Sequence, residues 1–368
     1  MSDAMQIFLV APPGLESVLA DEARAAGFHA VAAVPGGVTL TGGWPEVWRA
    51  NLILRGAGRV LVRIAEFRAM HLAQLDKRAR KVDWASVLRA DVPVRVEATC
   101  RKSKIYHDKA AAQRVQTAII EGIGAPVAAD AAVVVKVRIE DDLVTISLDA
   151  SGEALHKRGH KQAVGKAPMR ESLAALFLRQ LGFDGSQAVV DPMCGSGTFP
   201  IEAAEIAAGL QPGRTRDFAF QHFASYDPAG FAALRTTPAA TPALRFFGSD
   251  RDQGAIQGAA ANAERAGVAG WCRFERRAVS DLTPPEGVPP GIVVVNPPWG
   301  SRIGERKLLF ALYGALGKTL AERFPGWRVG LISPDGGLVK ASGLPLTAAG
   351  APVDMGGTRV TLWQGAIT

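Results

Sequence analysis

The stretch Ala188-Val189-Val190-Asp191-Pro192-Met193-Cys194-Gly195-Ser196-Gly197-Thr198-Phe199-Pro200-Ile201-Glu202-Ala203-Ala204 decides the fold. Val189 and Val190 form a short apolar run of the kind that makes a buried strand, and it ends on the acidic Asp191. Gly195 and Gly197 carry no Cβ, so the backbone can turn sharply there and lie close to a ligand. From Thr198 onward, Phe199, Ile201, Ala203, Ala204 and Ile206 give a helical apolar face. Thr198 is the expected cap, and Pro200 falls in the first turn, where a missing N–H costs least. Strand, glycine loop and helix in that order make a nucleotide-type site at the carboxyl edge of a parallel sheet. The loop is not the dinucleotide fingerprint, because the third glycine is missing, and no Gly-Lys-Ser/Thr follows to cradle phosphates.

A second stretch sharpens this. Gly291-Ile292-Val293-Val294-Val295 reads as another buried strand and runs into Asn296-Pro297-Pro298-Trp299-Gly300. Two consecutive prolines cannot continue a strand or donate to its ladder, so the chain leaves the sheet in a fixed shape. A polar amide, a rigid turn and a flat aromatic are thereby offered at one sheet edge.

The pair D-P-M-C-G-S-G-T and N-P-P-W-G resembles the class I S-adenosylmethionine-dependent methyltransferases that modify exocyclic amines. Its wording is similar to that of the THUMP-domain RNA guanine-N2 methyltransferases. The resemblance implies an α/β fold: a Rossmann-like methyltransferase domain with a mostly parallel seven-stranded sheet, preceded by a ferredoxin-like/THUMP α+β module. It implies S-adenosylmethionine as cofactor, held by Asp191, Pro192, Cys194, Gly195, Gly197, Thr198, Asp250, Arg251, Asp281 and Asn296. It also implies catalysis by Asn296, Pro297, Pro298 and Trp299, the last standing where the family usually carries Tyr. Adenine-N6 DNA methyltransferases and protein-glutamine methyltransferases share N-P-P-[aromatic] and stay open as alternatives, as does a tRNA guanine-N2 enzyme.

The rest of the chain is consistent with this. A length of 368 residues suits two or three domains. The expected division is 1–65 ferredoxin-like, 66–150 THUMP, 151–165 basic linker and 166–368 methyltransferase. Helical periodicity places Ala112, Val115, Ile119 and Ile120 on one buried stripe. Gly209–Pro242 is too long for an ordinary connection and is expected to cover the site or meet substrate. A formal charge of +7 suits a polyanionic partner. Three scattered cysteines make neither a disulfide framework nor a metal spacing. Neither a leader nor a run of ~18 apolar residues is evident, so the expectation is a soluble, cytoplasmic monomer without metal.

Two basic stretches are candidate RNA contacts. Arg101-Lys102-Ser103-Lys104-Ile105-Tyr106-His107 precedes a helix and resembles the start of the THUMP signature helix. His156, Lys157, Arg158 and Lys161 lie in a linker with no acid between Ala154 and Met169, and are expected to track a phosphate backbone. The linker wording resembles the bacterial 23S rRNA enzymes more than the tRNA acceptor-stem enzymes. The longest members add a second methyltransferase domain after the point where this chain ends.

Overall fold

A computed structural model describes residues 4–162, 169–235, 240–243, 245–300 and 306–368. The chain divides into two compact units: Met1–Ala11, Leu19–Leu155 and Gly213–Thr236 in the first, and Pro12–Val18, His156–Pro212 and Thr237–Thr368 in the second.

In the first unit the elements run β1 (Met5–Val10), α1 (Glu16–Ala25), β2 (His29–Val34), β3 (Gly37–Gly42), α2 (Trp44–Ile53) and β4 (Arg59–Arg68). They continue with α3 (Leu72–Ala79), β5 (Val94–Arg101), α4 (Asp108–Ile123), β6 (Val133–Glu140) and β7 (Leu143–Asp149). All seven strands form one sheet, ordered β2-β3-β1-β4-β7-β6-β5. The expected boundary at residue 65 therefore falls inside β4. This strand pairs with β1 through its first half and with β7 as far as Arg68↔Leu143. Ten residues are long for a strand, long enough to serve two sets of partners. On α4 the buried stripe is Ala111, Val115, Ala118 and Ile119, while Ile120 faces out.

In the second unit α5 (Glu171–Gln180), β8 (Val189–Asp191) and α6 (Thr198–Ala207) come first. The chain then contributes α7 (Pro228–Leu234) to the first unit and returns with β9 (Phe246–Asp250), α8 (Gln253–Ala266), β10 (Cys272–Arg276) and β11 (Ile292–Val295). Then follow α9 (Arg306–Arg323), β12 (Arg328–Ser333), α10 (Gly336–Ala341), β13 (Thr347–Ala348), β14 (Val353–Met355) and β15 (Thr358–Ala366). The sheet is ordered β10-β9-β8-β11-β12-β15-β13, with β14 paired to β15. β10 through β12 are mutually parallel and β15 is antiparallel. Gly356 and Gly357, at φ +65° and +86°, turn the β14–β15 hairpin, as their position between two strands predicts. Val190, Val293, Val295 and Leu331 pack with Tyr313, Leu316 and Leu320 of α9 in one buried cluster.

The long connection after α6 divides between the two units. Its Gly213–Thr236 part belongs to the first unit. Phe218 and Phe220 stack at 5.2 Å, Phe231 stands edge-on to both, and Tyr226 meets Trp48 of α2 edge-on at 6.2 Å. Burying Phe218, Phe220 and Phe231 is a packing gain that gives this part of the connection a structural role.

Candidate active site

Strands β10, β9, β8 and β11 are neighbours and all parallel, so their carboxyl ends lie on one edge of the second unit. Asp191 closes β8, Asp250 closes β9, and Asn296 follows β11 directly. Asp281 lies on the short turn Val279–Asp281 beyond β10 and is exposed. Because Ile292 pairs with Val189 and Val293 with Val190, the glycine loop and the Asn296-Pro297-Pro298-Trp299 turn leave adjacent strands at the same edge.

The glycine loop is shaped by its own hydrogen bonds. Asp191 Oδ1 accepts from the Met193 N–H at 3.1 Å, and the Cys194 N–H donates to the Ser249 carbonyl at 2.9 Å. The Gly195 N–H donates to Asp250 Oδ2 at 3.1 Å, and the Gly197 N–H to the Cys194 carbonyl at 2.8 Å. Asp250 Oδ1 also takes the Asp252 N–H at 3.0 Å, so this carboxylate ties the loop to its own strand end. Gly197 sits at φ +81°, and a Cβ there would come within 2.9 Å of Ala259 Cβ and 3.0 Å of the Phe274 ring. It is therefore glycine for both backbone and space. Gly197, not Thr198, is the N-cap of α6; Thr198 is the first helical residue and Pro200 falls in the first turn as expected. Pro192 is buried.

Electrostatics separate the groups. Asp191 is 3% exposed, and burial, opposed by the Met193 N–H and reinforced by Asp250, pushes its carboxyl up to about 8. The Cys194 thiol is driven well above its ordinary range by burial and then by Asp191 and Asp250, so it is no thiolate nucleophile. Arg251 is exposed, and its carbonyl accepts from Arg276 Nε at 3.1 Å.

At the other turn Asn296, Pro298 and Trp299 are half-buried and Pro297 is buried. The Trp299 indole N–H donates to Asn296 Oδ1 at 3.3 Å, which orients the amide oxygen as an acceptor. The segment Leu282–Val288 walls a cavity of about 650 Å³ over Phe247, Ser249, Arg273 and Glu275.

The two basic stretches part company. Arg101, Lys102, Lys104, Tyr106 and His107 are all exposed at the amino end of α4, Tyr106 by 72%. The Tyr106 and His107 rings lie 4.1 Å apart, and the loop beneath is held by Asp142, whose Oδ1 accepts from the Lys104 N–H at 2.8 Å. In the linker, Lys157 is exposed, but Arg158 is 2% exposed, with Nη1 at 2.7 Å from Glu202 Oε2 and 3.5 Å from Glu205 Oε2. Lys161 is mostly buried, 3.4 Å from Glu171 Oε1, and His156 is half-buried with its imidazole pushed down to about 4 by burial and by Arg170. Arg158 and Lys161 thus face inward rather than toward a phosphate track, because buried carboxylates hold them. Ala167 and Pro168 of the linker wording lie outside the described residues.

One residue escaped the sequence reading. Asn262 is fully buried on α8, and its Nδ2 donates to the Ser196 carbonyl of the glycine loop at 3.0 Å. Its signal is a polar residue at i+3 from Ala259, itself i+3 from Ile256, on the buried stripe of α8.

Fold and site together define a class I methyltransferase domain. The match to known proteins agrees: residues 158–347 fit the family described as RMKL-like, methyltransferase domain, and the chain belongs to that family. Residues 6–61 match the RlmL ferredoxin-like domain. A curated relative, the ribosomal RNA large subunit methyltransferase K/L of Syntrophotalea carbinolica, is 36% identical over 94% of this chain and 51% of its own length. The chain thus spans about half of that relative. Among solved structures, SMU.472 complexed with SAH aligns at TM-score 0.90 and 24% identity, over 100% of this chain and 99% of that one. A Listeria monocytogenes protein described as a predicted N6-adenine-specific DNA methylase aligns at TM-score 0.87 and 27% identity, over 98% and 96%.

Proposed function

We propose that this chain binds S-adenosylmethionine at the tips of β8, β9 and β10 and methylates the exocyclic N2 of a guanine in RNA, with 23S rRNA as the RNA. One observation carries the reading: the β8–β11 pairing that brings the glycine loop and Asn296-Pro297-Pro298-Trp299 to one edge.

The residues fit the cofactor. Each Asp250 oxygen accepts one backbone N–H and keeps a second lone pair, which suits two ribose hydroxyls. Asp191 is a buried carboxyl that ionises favourably against an ammonium group. Asp281 offers an acceptor for an adenine amino group. Bound there, the cofactor supplies an electrophilic methyl on a sulfonium.

The chain's own part is alignment, which can supply ~7–11 kcal/mol of a displacement barrier. The guanine amine is a poor nucleophile because its lone pair is delocalised into the ring. Asn296 Oδ1 and the Pro297 carbonyl would accept its two N–H groups and localise that lone pair. Trp299, anchored to Asn296, would stack on the splayed base for ~1–3 kcal/mol. No strong base is needed, since the methylated amine sheds an acidic proton to water.

The exposed patch Arg101, Lys102, Lys104, Tyr106 and His107 supports RNA as substrate, with Lys157 and His156 as further contacts, and supports reading residues 66–150 as a THUMP module. The relative named for rRNA methylation supports the ribosomal target. The test is Asn296→Ala: methyl transfer to 23S rRNA should fall roughly 100–1000-fold, the scale of losing one aligned polar contact, a far larger loss than any in cofactor affinity. Full turnover would overturn the assignment. N6-methyladenosine rather than N2-methylguanosine in the digest would move the reading to an adenine enzyme.

A further inference from the structure

The glycine loop contains two glycines, which lose more conformational freedom on ordering than any other residue. Its Ser196 carbonyl receives the buried Asn262 Nδ2–H at 3.0 Å. The other end of that amide faces the linker: Asn262 Oδ1 accepts from the Gln162 N–H at 3.2 Å and from the Arg265 guanidinium. Arg265 Nε in turn donates to the His160 carbonyl at 2.8 Å. The same linker is fixed to α6 through Arg158 with Glu202 and Glu205, and to α5 through Lys161 with Glu171. Residues 158–162 therefore form a strap bound to three helices and joined to the glycine loop through one side chain.

We propose that Asn262 is a positioning residue for the cofactor loop, and that the strap Arg158–Gln162 backs it and so sets cofactor affinity. The inference rests on the reading of this edge as the S-adenosylmethionine site. A loop held in its binding conformation beforehand spares the ligand that ordering cost. If the loop is competent only a fraction of the time, the apparent Kd rises by the inverse of that fraction. Chemistry at saturation, which depends on Asn296 and its turn, should not change.

The experiment is calorimetric titration of S-adenosylmethionine into wild type, Asn262→Ala and Arg265→Met, with steady-state kinetics and amide exchange on each. Arg265 is exposed, so its variant folds even if Asn262→Ala does not, and it decides the question alone in that case. Asn262→Ala should raise Kd and KM about 10-fold and Arg265→Met about 3-fold, with kcat within about 2-fold, the pattern of lost uniform binding. The Gly195 and Gly197 amides should exchange faster in Asn262→Ala while those of β8 and β11 keep their protection. An unchanged Kd in the folded variants, whatever happens to Tm, overturns the inference, as does a fall in kcat at constant KM. Wild type that binds no S-adenosylmethionine would overturn instead the cofactor reading beneath it.

Discussion

The segments Arg101–His107 and His156–Gln162 look alike in composition and end in opposite surroundings. The first carries Arg101, Lys102 and Lys104 with Tyr106 and His107, all exposed; the second carries Lys157, Arg158 and Lys161 with His156 and His160, and most of it is turned inward. What separates them is the company available. Beside the first, Asp142 is occupied with the Lys104 backbone and Glu140 with Arg138, so among the described residues no buried acid draws the cationic heads inward and they stay exposed. Facing the second, α6 buries Glu202 and Glu205 at 1% and 0% exposure, and carboxylates removed from water must be compensated by a cation. A run of positive charge thus says only that partners are needed. Whether the partner is an internal acid or an external phosphate depends on which acids the fold buries.

Three measurements would break or sharpen this contrast. Arg158→Met should have the largest effect, since removing one partner of a buried ion pair costs about 3–5 kcal/mol. At roughly 2–4 °C per kcal/mol for a domain of this size, the second unit should melt about 6–20 °C lower by calorimetry. A variant that melts like wild type but binds RNA more weakly would put Arg158 back among the phosphate contacts. The triple variant Arg101→Ala/Lys102→Ala/Lys104→Ala should leave Tm nearly unchanged. In filter binding it should flatten the slope of log K against log salt by about 2–3, the share of three phosphate contacts. An unaltered slope would mean that the displayed patch is merely solvated.

The smallest effect is acid sensitivity just ahead of the strap, at His156. His156 is held down to about 4 by burial, then by Arg170, Lys157, Lys161 and Arg158. A depressed imidazole contributes stability above its ordinary value near 6.5, and that contribution is lost as pH falls from there through about 4. His156→Gln should remove this part of the acid loss of Tm. Identical pH profiles for the two proteins would show that the imidazole is not strained by its neighbours.

Much of the site was legible because its signals are local. The valine run ending on Asp191, the glycines after it, and the double proline after Val295 each dictate backbone shape from neighbouring residues alone. Gly267 closing α8 and Gly356-Gly357 turning the last hairpin are of the same kind. What is not legible involves partners far along the chain. Length alone marks Gly209–Pro242 as unusual, and nothing local says that its Phe220 and Tyr226 rings meet Trp48 of α2. Element order places a border at residue 65, and it does not reveal that β7, some eighty residues later, adds to β4 and makes one sheet. Ile120 was placed on a stripe by periodicity, but α4 buries Ala111 and Ala118 and leaves it 43% exposed.

By itself the sequence determined which residues end the strands, where the backbone must turn, and which side chains stand at those turns, since all of these follow from φ/ψ limits and apolar spacing. Only the tertiary structure decided which strand ends are neighbours, which cations meet buried acids, and that Asn262 touches the glycine loop. Those are pairings across tens to a hundred residues. They are selected by the burial of whole faces, and no local preference encodes them.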